Sequence, residues 1–243
     1  MLRVAGIDLS GRTVGRTALA WLEGERRQLP RVPEPVQDSL TLRGMTGDET
    51  LTRALLENPP ALVALDAPLA LPHPVMCSDP DCGTCFPDGP APLYGTRQLD
   101  RKQEWSWLTS RGPMPTVMIS AIAFRGMYLR RVLTKRGIRV IETWPMGVYR
   151  VLQQRAQTST SGSIPDSGRF ELLASTVQPS PHLTPQLSRD QLDAVAAAYA
   201  AWCHETRRAH AVTVSGFEDE GAIWIPASPA QAPGVIGTEI PEG

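Results

Sequence analysis

Three short apolar runs that each stop at an acid constrain this chain more than any other feature of its sequence. Residues 2–9 read as a core strand carrying Asp8 near its end. Residues 61–65 form an apolar run followed by Asp66, and residues 138–142 close on Glu142. Nearly unbroken apolar strands belong in a sheet covered on both faces. In open α/β sheets the carboxyl ends of the strands border the crevice where ligands bind. An α/β fold with a polar site at one end of the sheet is therefore expected.

The other elements can be placed around these strands. Residues 17–21 and a weaker segment at 39–42 read as short strands, and 212–214 and 222–225 as late ones. Residues 48–56 suit a helix stopped before Asn58-Pro59-Pro60. Residues 118–136 suit another, closed by Gly137. The clearest helix runs over 188–207. At about 100° per residue, its Leu192, Val195, Tyr199, Trp202 and Cys203 fall on one side. Asp190, Asp193, Ala194, Ala197 and Ala201 fall on the other. Bulky residues opposite an alanine stripe predict burial on both sides and a close approach to the sheet, which brings Asp190 and Asp193 toward Asp8.

Close carboxylates repel one another unless a cation neutralises them. Mg²⁺ and Mn²⁺ favour such oxygen ligands together with phosphate oxygens. Asp8, Asp66, Asp190 and Asp193 are thus candidate ligands of Mg²⁺ or Mn²⁺, with Glu142 a further catalytic candidate.

Formal net charge is −1, so overall electrostatics do not point to a nucleic-acid partner. Between Gly95 and Val140, however, ten basic residues stand against two acids, Asp100 and Glu104. Within that run Arg97, Arg101 and Lys102 are the candidate phosphate contacts, and a solvated surface is the plainer reading of the same run.

His73-x3-Cys77-x4-Cys82-x2-Cys85 has the spacing of a structural zinc site, and Gly83 suits its tight turn. No apolar run approaches the ~18–20 residues of a membrane span, and the N-terminus lacks the regions of a signal peptide. A cytoplasmic protein without a membrane partner is expected.

The motifs Gly6-Ile7-Asp8-Leu9-Ser10, Ala64-Leu65-Asp66-Ala67-Pro68-Leu69, Ile141-Glu142-Thr143-Trp144-Pro145, Asp190-Gln191-Leu192-Asp193-Ala194 and Glu220-Gly221-Ala222-Ile223-Trp224-Ile225-Pro226 occur in that order. The series resembles the bacterial and archaeal family called domain of unknown function 429, described as predicted nucleases of the RNase H fold. The carboxylate pattern is also similar to that of RuvC-type resolvases. The resemblance implies an RNase H-like mixed five-stranded sheet flanked by helices. Its first three strands would be antiparallel, with a parallel continuation and a Pro/Cys-rich insertion after the fourth strand. Length and the Pro-, Gly- and Ser-rich stretches by themselves suit a single domain over 1–226, with the insertion at about 68–116, a mobile loop at about 155–187 and a disordered tail over 227–243, and the resemblance covers nearly the whole chain. It further implies a two-metal nuclease in which Asp8 bridges the ions, Asp66 and Asp193 each complete a site, Asp190 binds or orients one, and Glu142 is peripheral. The alternative is a non-catalytic or small-phosphoester-processing protein of the RNase H/actin-like fold.

Overall fold

The computed structural model describes residues 1–10, 17–38, 47–83, 85, 96–110, 112–158, 162–215 and 217–228. Six strands form one mixed sheet: β1 (Leu2–Asp8), β2 (Ala18–Gly24), β3 (Val63–Asp66), β4 (Val140–Thr143), β5 (Ala209–Val212) and β6 (Ile223–Pro226). They lie in the order β2-β1-β3-β4-β6-β5. β2 is antiparallel to β1, the series β1-β3-β4-β6 is parallel, and β5 returns antiparallel at the edge. One antiparallel pair followed by a parallel continuation is present; the third antiparallel strand that the resemblance implies is not among the described residues.

The count of five strands is corrected to six, because both late segments form strands and pair with each other. β5 begins earlier than expected. The strand placed at 39–42 lies outside the described residues. Among the described residues between β2 and the first helix, two isolated antiparallel bridges to β2 form, at Arg31 and Gln37. Pro30, Pro33 and Pro35 interrupt this segment, and each removes a ladder donor.

Helices cover both faces. On one side α1 (Gly47–Glu57) and α3 (Ser120–Lys135) pack on Ile7, Leu19, Trp21 and Leu65. On the other, α4 (Pro145–Arg155), α5 (Asp166–Ala174) and α6 (Arg189–Glu205) cover Val4, Ala20, Leu22 and Ala64. A short helix, α2 (His73–Met76), follows β3. Among the described residues, no helix is long and apolar enough to cross a membrane.

α4 and α5 were not legible as helices. Pro145 sits at the first helical position of α4, where its missing N–H costs nothing. The stretch 155–187, expected as a mobile loop, contains α5. Leu173 is fully buried there, and this helix supplies Arg169.

The packing of α6 against β1 positions the candidate site. Ser188 and Gln191 form a reciprocal capping box that fixes where the helix starts. Ala194, Ala197, Ala198 and Ala201 are wholly buried, as are Val195 and nearly so Trp202 on the bulkier side. Gly6 makes the close approach possible. A methyl group there would lie 2.0 Å from the Ala198 nitrogen and 2.3 Å from the Ala194 oxygen. The helix backbone therefore lies directly on the strand two residues before Asp8.

Candidate active site and metal centre

Asp8 and Asp66 end β1 and β3 and are register partners across the parallel pair. Partners in register project to the same face, here the face covered by α6. The first turns of that helix bring in Asp190 and Asp193. Burial, then Asp66, Asp193 and Asp190, push the Asp8 carboxyl up to about 10, against the opposing pull of Arg169. Burial and the neighbouring acids Asp193 and Glu142 likewise hold Asp66 well above the usual carboxylate range. Burial also raises Asp193, although Arg169 opposes it.

Arg169 is the resident cation of this cluster. Its Nη1 donates to both Asp193 oxygens, at 2.5 and 2.6 Å, and its Nε donates to the Ile164 carbonyl at 3.3 Å. The guanidinium also lies over the Tyr149 ring, 5.1 Å from its centre. The buried Tyr149 hydroxyl faces Asp193, and burial together with that charge raises its pKa well above the usual tyrosine range. An all-oxygen donor set is the chemistry that a hydrated divalent ion favours. Asp8, Asp66 and Asp190 would have to draw closer to hold one together, and Asp193 would have to release Arg169. Asp8 and Asp66 open onto a cleft of about 260 Å³, bordered also by Pro68, Met114, Ile122 and Trp144.

Glu142 belongs to a different arrangement. Its register partner is Leu65, not Asp66, so it projects to the opposite face of the sheet from Asp8 and Asp66. There it is 5% exposed. It takes two bonds from Arg97, at 2.6 and 2.8 Å, and one from the Leu69 N–H at 2.8 Å. Burial raises its carboxyl and Arg97 counteracts this. It is an internally neutralised acid at the edge of the same cleft.

Arg97 is its partner. Only 1% exposed, it is shared between Glu142 and Asp100, with a 2.6 Å bond to each. These two carboxylates outweigh the effect of burial and strengthen its hold on the proton. Asp100 also accepts from the Thr116 hydroxyl at 2.6 Å. A guanidinium held this way is a buried clamp between two acids.

Much of the surrounding basic run is engaged too. Arg125 holds Asp48 and the Ser10 carbonyl, Arg130 the Leu69 carbonyl, and Arg139 Glu205. Arg101 is half-buried and forms no ion pair among the described residues. The side chain of Lys102, like Arg111 as a whole, lies outside them.

His73, Cys77, Cys82 and Cys85 come together as the spacing predicts. One ligand atom from each lies within 4.8 Å of all the others. Among the described residues no other group of three or more His, Cys, Asp or Glu side chains is gathered so closely, and the carboxylates around Asp8 stand wider apart. The His73 Nε2 faces the Cys82 sulfur at 3.5 Å, while its Nδ1 lies 2.7 Å from Asp219. Cys82 and Asp219 together raise the His73 pKa. Burial and the two neighbouring thiols push Cys85 up to about 12. Four such ligands can hold a metal ion. Cys203 is not among them; it is buried on α6 in the core with Tyr199.

Several functional residues escaped sequence reasoning. Arg169 and Tyr149 lie on helices that were not recognised. Asp219 carried no signal apart from its neighbour Glu220, which opens the last of the ordered motifs.

No family model matches the chain, and no curated protein matches it. Among solved structures, one described as T. thermophilus RuvC in complex with Holliday junction substrate is similar to it. The TM-score is 0.41 at 14% identity, over 85% of this chain and 97% of that one.

Proposed function

We propose that this chain is a divalent-metal-dependent phosphodiester hydrolase acting on nucleic acid, with Asp8, Asp66, Asp190 and Asp193 as its working carboxylates and residues 1–226 as its single domain. The observation that carries this reading is the in-register pair Asp8 and Asp66, under the acidic first turns of α6 and open to a cleft. Mg²⁺ or Mn²⁺ bound there supplies an activated water and stabilises the leaving oxygen. Asp8 and Asp66 would hold the ions, with Asp190 as a further carboxylate. A two-ion form requires Asp193 to exchange Arg169 for metal. Arg101 and Lys102 remain the proposed phosphate contacts, and the cytoplasm the proposed location. The Cys/His group is assigned to structural zinc, since ligand bonds of about 2.3 Å give tetrahedral edges of about 3.8 Å, which a set already within 4.8 Å can reach.

A cleavage panel tests the reading: single- and double-stranded and branched DNA and RNA, with Mg²⁺ or Mn²⁺, beside Asp8→Asn. Metal-dependent cleavage lost by at least 100-fold in Asp8→Asn is the expected result. The small cleft and the internally engaged arginines favour a second reading, hydrolysis of a small phosphoester. That reading takes over if a nucleotide ester is cleaved through Asp8 while no polymer is.

A further inference from the structure

We propose that zinc at His73, Cys77, Cys82 and Cys85 closes a clasp on the cleft: Asp219 is a positioning residue for the His73 ligand, and Glu220 carries the order of the loaded loop to Arg97 and Glu142. This rests on the zinc assignment and is independent of the nuclease reading.

Two adjacent acids in a short 3-10 helix, Glu218–Glu220, make the connection. Asp219 holds the His73 Nδ1 at 2.7 Å, which turns Nε2 toward Cys82. A carboxylate on the far nitrogen of a ligating histidine fixes the tautomer and raises ligand basicity. Phe217 meets the same ring edge-on at 5.6 Å between centres, so the imidazole is held from two sides.

The next residue, Glu220, is 1% exposed. One of its oxygens accepts the backbone N–H of His73 at 2.9 Å, and the other accepts that of Leu99 at 3.2 Å. A buried carboxylate that loses such donors bears a large desolvation cost, so the two N–H groups are tied to one another. Leu99 in turn accepts the Trp105 indole N–H at 2.8 Å through its carbonyl. Two residues before Leu99, Arg97 clamps Glu142 and Asp100, and all three border the cleft into which Asp8 and Asp66 open. The Glu220 carbonyl itself accepts from Arg97 at 3.5 Å. An ordered His73 loop thus fixes, through one carboxylate, the wall of the cleft.

The test uses the full chain and reads zinc content, cobalt spectra and hydrogen exchange, none of which needs catalysis. Purified protein should carry one zinc per chain. Chelating it should raise amide exchange over 97–110 at least tenfold, with reloading restoring protection. In Glu220→Gln, zinc should stay at one per chain while exchange over 97–110 is already raised and no longer responds to chelation. Asp219→Asn should weaken zinc binding about 10–100-fold, while its cobalt-loaded form keeps the parent's thiolate charge-transfer absorption.

Chelation of the parent that leaves 97–110 protected overturns the clasp, and this arm needs no variant to fold. Undiminished zinc affinity in Asp219→Asn overturns the positioning role. Protein without zinc overturns the assignment beneath both. Cleavage activity, scored separately with added Mg²⁺, decides the nuclease reading whichever way these results fall.

Discussion

Replacing Arg97 with Met is expected to destabilise the protein by about 3–5 kcal/mol, the cost of leaving a buried ion pair with one side missing. For a chain of this length that is a fall of roughly 6–20 °C in melting temperature. Two acids lose their counter-charge together, because the Glu142 and Asp100 side chains are 6% and 0% exposed. Neither can turn to water without opening the wall of the cleft. Neutralising both in the same chain, with Glu142→Gln and Asp100→Asn, should recover much of the loss, since no unpaired charge then stays buried. Thermal melts followed by circular dichroism decide between the two roles considered for Arg97. A phosphate contact at a surface loop would weaken nucleic-acid binding and leave the melting temperature within about 2 °C of the parent. That outcome would sink the internal clamp.

What could be read in the sequence was whatever rests on short-range pattern. The strands ending in Asp8 and Asp66, the sheet covered on both faces and the alanine-faced helix follow from runs of apolar residues and a 3.6-residue period, and each is present. The gathering of His73 with three cysteines follows from spacing inside one loop. Charge, by contrast, was legible only as a tally. The basic run from Gly95 to Val140 looked like a face for phosphate, yet Arg97, Arg125 and Arg139 each find a carboxylate, at Glu142, Asp48 and Glu205. Those partners lie 45 to 77 residues away in the chain, beyond any local pattern. Glu142 shows the same limit at finer scale. It stands at a strand end like Asp66, but a register offset of one residue sends it to the other face of the sheet. Arg169 was hidden because α5 has little amphipathic signature. Its cation reaches Asp193 only through tertiary packing.

The second large effect is a reversal of sign. Without divalent metal, Asp8→Asn should be more stable than the parent, by about 1–3 kcal/mol after allowing for solvent screening in the open cleft. That corresponds to roughly 2–10 °C. Asp8 is held near Asp66, Asp190 and Asp193, and its carboxyl is pushed up from 3.8 to about 10. A raised carboxyl binds its proton more tightly in the folded state than in the unfolded one. The stability this contributes is fully present below about pH 4 and is lost progressively as pH rises toward 10. At neutral pH the metal-free parent must therefore either carry that proton or bear the repulsion, and a carboxamide does neither. The melting temperature of metal-free parent should fall with pH across this window, and that of Asp8→Asn should fall less. Excess Mn²⁺ inverts the order. An ion at 100 times its dissociation constant stabilises the parent by about 2.7 kcal/mol, and with Asp8 neutral most of that gain disappears. The parent should then melt above the variant, and its affinity for Mn²⁺ should rise with pH because metal and proton compete for one carboxylate. Melts at pH 5, 7 and 9, with chelator or with Mn²⁺, give the whole pattern in one experiment. If Asp8→Asn melts lower than the parent in chelator, the Asp8 carboxylate is a satisfied structural group. The case for a cation site at the ends of β1 and β3 then fails.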